Sequence, residues 1–97
     1  MKNLEVVVYT MKGCPFCDEF KQMLVNEGIE YHDRDIDEHK EEYDLFSQVS
    51  NSELIPALLV IEGDEDNPES FVYVPDRDYF ELTEAVDIIK NHKLRVI

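Results

Sequence analysis

Apolar residues follow a strand pattern at the start of the chain and a helical pattern directly after it. The stretch from Leu4 to Tyr9 is rich in β-branched residues, which is typical of a buried strand in an α/β sheet. The helical pattern begins at Pro15, because proline is tolerated in a first turn, and Gly28 is suited to end it. The helix has an apolar stripe that consists of Phe16, Phe20, Met23 and Leu24.

A second strand and a second helix follow in the same way. Apolar and polar residues alternate from Ile29 to Ile36, which predicts a strand. Asp37 is suited to cap a helix that ends near Ser50 and Asn51. The apolar positions of this helix are Tyr43, Leu45, Phe46 and Val49.

The last part of the chain predicts a hairpin and a third helix. Strands at Ala57–Ile61 and Phe71–Val74 are separated by turn-forming residues at 63–68, so we expect a hairpin with a loose acidic tip. Asp78 and Glu81 have the spacing of a capping box before a helix. That helix is marked by Leu82, Ala85, Val86 and Ile89.

The predicted order β-α-β-α-β-β-α indicates an α/β fold. A β-α-β unit forms a right-handed parallel crossover, and the later hairpin adds an antiparallel pair. We therefore expect a mixed four-stranded sheet flanked by three helices, in a single domain with one core over residues 1–97. The aromatic residues predicted to be buried in it are Tyr9, Phe20, Phe46, Phe71, Tyr73 and Phe80.

The charge balance excludes two classes of partner. The chain has 9 basic and 23 acidic residues, a formal net charge of −14. Surfaces that bind nucleic acid or anionic lipid need the opposite sign, so we expect neither partner. The acidic excess either keeps the protein soluble or steers it toward a basic patch on a protein partner.

The apolar runs also bear on location and on the two cysteines. The longest runs are only strand-sized, and residues 1–5 do not resemble a secretion signal, which favours a cytoplasmic location without a membrane segment. In a reducing compartment, two cysteines are more often a redox or metal pair than a structural disulfide.

Cys14-Pro15-Phe16-Cys17 is the strongest chemical motif. Cys14 is expected at the N-terminus of the first helix, where unpaired amides and the helix dipole stabilise a thiolate nucleophile. Cys17 follows one turn later and is suited to resolve a mixed disulfide. Lys12 either stabilises the Cys14 thiolate further or is a solvated loop lysine.

The same motif is also half of a zinc site, which needs a second ligand pair. The only other candidates are His32, His39 and His92, none of which form a short-spaced pair. We interpret all three as surface histidines and predict no metal site.

Ile55-Pro56 lies directly before a predicted buried strand. Proline is common at strand starts, which is one interpretation. The other is a cis bond that turns the Ile55 backbone outward, where an extended substrate pairs with it as an added strand.

Taken together, these features resemble the glutaredoxin branch of the thioredoxin superfamily. The likeness rests on the segment Val6–Thr10, the Cys-Pro-Phe-Cys motif and the Ile55-Pro56 pair before the third strand. Thioredoxins proper carry Cys-Gly-Pro-Cys, usually after a tryptophan, and this chain has no tryptophan. The resemblance implies a thioredoxin-like fold.

The resemblance also implies roles for individual residues. Cys14 would be the nucleophile and Cys17 the resolving thiol, with glutathione as a co-substrate and no bound cofactor. The residues implied to contact glutathione are Phe16, Ile55, Pro56 and Asp78. The implied partners are disulfide-containing proteins, among them a ribonucleotide reductase, and we expect a monomer.

The chain departs from the family pattern in two places. The lysine that family members carry directly after the first strand is displaced, with Met11 before Lys12. The family's Gly-Gly-x-Asp segment is replaced by Pro75-Asp76-Arg77-Asp78, which adds side-chain bulk and removes one N–H donor. Asp76 would repel an anionic tripeptide unless Arg77 compensates.

Three alternatives stay open at this point. One is a thioredoxin-like carrier that a flavoprotein reductase recharges. Another is a protein-binding module whose activity does not need the thiols. The third is an iron–sulfur carrier, which Pro15 and the presence of the second cysteine both disfavour.

Overall fold

A computed structural model describes residues 3–96, and the predicted order β-α-β-α-β-β-α is confirmed. The elements are β1 (Asn3–Thr10), α1 (Pro15–Asn26), β2 (His32–Asp35), α2 (Lys40–Ser50), β3 (Ala57–Asp64), β4 (Asn67–Tyr73) and α3 (Leu82–Arg95). The strands lie in the order β2-β1-β3-β4. β1 pairs parallel to β2 and antiparallel to β3, which pairs antiparallel to β4, so the sheet is mixed as predicted.

Alternate residues of β1 are buried on opposite faces of the sheet. Val6 and Val8 contribute to a cluster with residues of α1 and α3, whereas Val7 and Tyr9 contribute to a cluster with residues of α2. The prediction of one core was therefore wrong, because helices on both faces bury both sides of the central strand. Within residues 3–96, no helix has the length and apolar character needed to cross a membrane.

Gly28 ends α1 as predicted, and the turn that it forms makes β2 shorter than the predicted strand from Ile29 to Ile36. Gly28 has a φ of +69°, and the amide of Ile29 donates to the carbonyl of Leu24 at 2.9 Å. This bond closes the helix in the manner of a Schellman turn. Ile29 is buried in the α1–α3 cluster by that turn, so β2 begins only at His32.

The predicted cap of α2 was wrong. The helix begins at Lys40, and the side chain of the preceding His39 makes no capping bond. Instead, the carboxylate of Asp35 accepts the amides of Asp37 and Glu38 at 2.9 and 3.3 Å. The side chain of Asp35 thus stabilises a turn at the end of β2. Asp37, the predicted cap, contributes its backbone amide to this turn and does not precede the helix directly.

The predicted cap of α3 was also wrong: the N-cap is Glu81, three residues after the predicted Asp78. Glu81 and Glu84 form the capping box, with the Glu81 amide donating to the Glu84 carboxylate at 2.9 Å. Asp78, which was predicted to cap this helix, instead accepts the amide of Val74 at 2.9 Å. Its carboxylate therefore closes the connection between β4 and α3.

The hairpin is tighter than its composition suggests. β3 continues to Asp64 and β4 begins at Asn67, so the turn consists of two acidic residues rather than the predicted 63–68 loop. Gly63 has a φ of +120°, and a Cβ atom there would lie 2.8 Å from the carbonyl oxygen of Asn67. Glycine is therefore required at position 63, both because φ is positive and because a Cβ atom would collide with Asn67.

A polar cluster lies buried between β3, β4 and α3. His92 is 3% exposed, so its interpretation as a surface histidine was wrong. Its Nδ1 lies 2.9 Å from the carboxylate of Glu62, and its Nε2 lies 2.6 Å from the hydroxyl of Tyr73. Arg95 forms an ion pair with the other Glu62 oxygen at 2.8 Å. These contacts satisfy a buried carboxylate that would otherwise be costly.

Candidate functional site

The two cysteines lie at the start of α1, directly after β1 and its short loop. Cys14 is the N-cap residue, with extended dihedral angles, and Pro15 occupies the first helical position. The amide of Cys17 donates to the Cys14 sulfur at 3.2 Å. Both cysteines carry free thiols. The sulfur of Cys14 thus takes the place of the oxygen that usually caps a helix, among amides that favour a negative charge.

The two thiols differ in their surroundings. Cys14 is partly exposed, whereas Cys17 is completely buried. Burial, and to a smaller extent the contact with the Cys14 sulfur, raise the pKa of the Cys17 thiol to about 12. An attacking thiol must be both accessible and ionisable, so the geometry favours Cys14 as the nucleophile and Cys17 as the second thiol.

Lys12 and Lys21 lie beside a small depression next to the dithiol, together with Asp33. Lys12 is exposed and makes no ion pair with another of the residues 3–96. Lys21 lies 3.1 Å from the carboxylate of Asp33, and its charge lowers the pKa of Cys17, although less than burial raises it. Lys21 was not among the site residues predicted from the sequence, although its position four residues after Cys17, on the same helix face, was an available signal.

Asp33 is held from two sides. It accepts the hydroxyl of Thr10 at 2.6 Å as well as the ammonium group of Lys21. Burial raises the pKa of this carboxyl, but the bonds from Thr10 and Lys21 outweigh that effect and the net pKa is lowered. In the part of the chain that the structure describes, no three His, Cys, Asp or Glu side chains are grouped as metal ligands.

A groove of about 550 Å³ lies on another side of the dithiol. Three segments form it: the start of α1, the residues before β3, and the connection from β4 into α3. Three of the residues predicted to bind substrate line it, namely Phe16, Ile55 and Pro56. The structure therefore brings together residues that are about 40 positions apart in the chain.

The peptide bond between Ile55 and Pro56 is cis. The side chain of Ile55 packs against the cluster on the α2 side of the sheet. Its backbone amide and carbonyl make no hydrogen bond with another of the residues 3–96. The carbonyl of Pro56 accepts the hydroxyl of Tyr79, whose ring is buried between the groove and the core.

The segment that replaces the family glycines forms a closed turn. Asp76 has a φ of +65°, a conformation that aspartate tolerates better than most residues, and its amide donates to the carbonyl of Tyr79 at 2.9 Å. Pro75 has no amide hydrogen. Neither residue therefore has a backbone donor left for a ligand, although both line the groove.

Asp78 and Arg77 lie outside the groove lining. The Arg77 guanidinium contacts Asp78 at 3.1 Å and also donates to the carbonyl of Ser50 at the end of α2. Arg77 is engaged in these contacts and forms no ion pair with Asp76 among residues 3–96. Asp78 holds the turn through Arg77 and the Val74 amide.

Phe80 was predicted to be buried and is 71% exposed. Its neighbour Tyr79 occupies the core position instead, with 2% exposure. Phe80 lies on the groove together with Phe16, which is also largely exposed. Two exposed aromatic side chains on one groove form a surface suited to contact with a partner.

Two thioredoxins of known structure have a similar fold. A thioredoxin of Trichomonas vaginalis matches with a TM-score of 0.59 and 17% identity, over 95% of this chain and 78% of that one. A thioredoxin of Plasmodium falciparum matches with a TM-score of 0.62 and 14% identity, over 96% of this chain and 71% of that one. At this level of identity, the likeness establishes the thioredoxin-like fold.

Sequence comparisons define the family more narrowly. The gene 56 protein of Mycobacterium phage L5 is 32% identical over an alignment of 85 residues, and the match covers 82% of this chain and 79% of that protein. The glutaredoxin family model matches residues 6–64, a span that contains the dithiol and the Ile55-Pro56 pair but ends before the 75–78 segment. The dithiol at a helix start in a thioredoxin-like fold is consistent with a thiol–disulfide oxidoreductase role. The chain belongs to the glutaredoxin family.

Proposed function

We propose that this protein reduces disulfide bonds in other proteins by thiol–disulfide exchange. The observation that carries the proposal is the unequal pair at the start of α1: an accessible Cys14 sulfur that accepts the amide of a buried Cys17 at 3.2 Å. One thiol of such a pair is available for attack, and the other is kept from solvent until the first reaction has occurred.

The reaction proceeds in two exchanges. The Cys14 thiolate attacks one sulfur of a substrate disulfide; that S–S bond breaks, a mixed disulfide forms, and the leaving sulfur takes a proton. Cys17 then loses its proton and attacks the Cys14 sulfur, which forms the Cys14–Cys17 disulfide and releases the second substrate thiol. Two electrons pass from the protein dithiol to the substrate disulfide. Lys21, whose charge favours the Cys17 thiolate, assists the second exchange.

Glutathione is the first candidate for the reductant that restores the dithiol. Family membership supports it, and the groove beside the dithiol has Phe16, Ile55 and Pro56 in its lining. In this proposal Asp78 acts through the turn that it closes, and Lys12 adds positive charge near Cys14. Two glutathione molecules would reduce the Cys14–Cys17 disulfide in turn and leave as glutathione disulfide.

A flavoprotein reductase is the second candidate, and one observation favours it. Pro75 and Asp76 offer no free backbone donor to a glutathione carboxylate, and Asp76 adds a negative charge at the same place. Such a carrier would receive its two electrons by dithiol–disulfide exchange and would not need a glutathione site. A ribonucleotide reductase among the partners, a cytoplasmic location and a monomeric chain belong to the same proposal.

The test has two arms, both with NADPH. One arm contains glutathione and glutathione reductase, and the other contains thioredoxin reductase. In each arm, the reduction of hydroxyethyl disulfide and of a protein disulfide is measured. Turnover that depends on glutathione supports the first reductant, and turnover only with the flavoprotein reductase supports the second. The Cys14→Ser variant is the control in both arms. If the wild type and the variant are equally inactive on all substrates, the proposed function is wrong.

A further inference from the structure

We propose that the groove selects disulfide-bearing protein segments that carry basic and apolar side chains beside the reactive cysteine, over segments with acidic side chains. The inference rests on the proposed disulfide exchange and adds the class of substrate. It concerns the groove between α1, the residues before β3 and the start of α3, and it follows from the charges and apolar side chains that line this groove.

The charged side chains that line the groove are all acidic. They are Glu19, Asp76 and Glu81, and all three residues are exposed. None of the three makes an ion pair with another residue of the range 3–96. Glu81 accepts a backbone amide in the capping box of α3, whereas no side chain of residues 3–96 pairs with Glu19 or Asp76. A cationic ligand would neutralise these charges.

The neighbouring cations are engaged or lie elsewhere. Arg77, the nearest in sequence to Asp76, is held by Asp78 and by the carbonyl of Ser50. Lys21 is paired with Asp33, and Lys12 lines the other depression rather than the groove. The net charge of −14 extends the same negative field over the whole molecule, which attracts basic partners from a distance.

The groove also has three exposed apolar side chains, one from each of its segments. Phe16 is 65% exposed, Leu54 is 48% exposed and Phe80 is 71% exposed. Large apolar side chains that converge on one acidic groove gain free energy from contact with an apolar side chain of a partner. The combination fits a segment in which basic and apolar residues flank the cysteine.

The test uses three synthetic peptides of one length, each with a single intramolecular disulfide and a leucine beside it. The remaining flanking positions carry lysine, glutamine or glutamate. Pre-reduced protein is mixed with each peptide at low ionic strength, and the second-order rate of protein oxidation is measured. We expect the lysine peptide to react about tenfold or more faster than the glutamate peptide, with a smaller ratio at high salt.

A double variant with a matched control assigns the effect to the groove. Glu19→Gln with Asp76→Asn removes two groove charges, whereas Glu65→Gln with Asp66→Asn removes the same number from the hairpin turn. We expect the first variant to lose most of the preference for lysine and the second to keep it.

The outcomes separate the two proposals. If the neutral peptide is not reduced at all, the proposed disulfide exchange fails. If all three peptides react at equal rates, or if the two double variants lose the preference equally, the exchange stands and the groove inference is overturned.

Discussion

The amide of Cys17 lies 3.2 Å from the sulfur of Cys14 and donates a hydrogen bond to it. This contact exists because Cys14 caps α1 and Pro15 starts its first turn, so a motif of four residues places both thiols in one turn. Only the first of them is accessible to a partner. The proposed order of events in disulfide exchange rests on this local geometry of a helix start.

The buried thiol predicts selective alkylation. Because burial raises the pKa of Cys17 to about 12, it stays protonated at neutral pH and is shielded from reagents. We expect iodoacetamide to modify Cys14 alone in the reduced native protein at pH 8, and both cysteines in denaturant. Peptide mapping by mass spectrometry measures this. Equal labelling of both cysteines in the native protein would contradict it.

The same pKa predicts how the stability of the reduced protein depends on pH. A thiol with a folded-state pKa raised from 9.0 to about 12 stabilises the folded state below pH 9 and loses this contribution as the pH rises toward 12. We expect the free energy of unfolding to fall over this interval, and to fall less in the Cys17→Ala variant. Urea denaturation at several pH values checks this; an equal fall in both proteins would argue against it.

The Lys21–Asp33 pair predicts a shift in a carboxyl titration. Its bond with Lys21 contributes to the lowered pKa of Asp33, so Lys21→Met should raise that pKa. A carboxyl whose pKa is lowered stabilises the folded state above its unfolded pKa and loses this as the pH falls. NMR titration of Asp33 measures the shift. Lys90→Met, which breaks the remote pair with Glu27, is the control and should leave Asp33 unchanged.

The buried polar cluster predicts a large and local cost in stability. Glu62 is 4% exposed and contacts both His92 and Arg95, so Glu62→Ala removes a buried ion-pair partner and leaves Nδ1 of the buried His92 without this contact. We expect a loss of about 3 kcal/mol in the free energy of unfolding. Glu69, its exposed cross-strand neighbour, is the matched control and should cost less than about 0.5 kcal/mol as alanine. Similar losses in both variants would contradict this account of the cluster.

Replacing Gly28 or Gly63 by alanine should lower the free energy of unfolding by different amounts. At Gly28 an added Cβ meets open space, and the cost of alanine is that of the left-handed conformation, about 1 kcal/mol. At Gly63 the Cβ would also collide with the carbonyl of Asn67, so Gly63→Ala should cost more, about 3 kcal/mol. Thermal or urea unfolding compares the two. A Gly63 variant as stable as the Gly28 variant would show that the hairpin accommodates the Cβ by shifting.

The elements that sequence reasoning placed correctly are those with a local cause. The β-branched run in β1, the apolar stripe of α1 and the glycine that ends it each act within a few residues, so periodicity and backbone preference suffice to locate them. The dithiol belongs to this group as well, because Pro15 starts the helix that Cys14 caps.

The errors at His92 and Phe80 have non-local causes. His92 is buried because Glu62 and Tyr73, 30 and 19 residues away, supply its hydrogen bonds. Phe80 is exposed because Tyr79 takes the core position and bonds to Pro56. No spacing in the sequence predicts such pairs, since they depend on which strands become neighbours in the sheet.

The groove contains residues that were predicted from the sequence and others that were recognised only in the structure. Ile55, Pro56 and Phe16 were identified from the motif and the strand start, whereas the acidic lining required the path of the 74–79 turn. The engagement of Arg77 with Ser50 and Asp78 was likewise visible only in three dimensions. The position of the dithiol was therefore easier to predict from the sequence than the charge of the groove beside it.

The central claim, that Cys14 attacks and Cys17 resolves, is tested most directly by intact mass after reaction with a disulfide that joins two copies of a neutral peptide with one cysteine each. The wild type should lose two hydrogens and release the reduced peptide, Cys17→Ser should retain the peptide as a mixed disulfide on Cys14, and Cys14→Ser should stay unmodified. A stable adduct on Cys17 in the Cys14→Ser variant, formed as fast as the adduct on Cys14, would contradict the account.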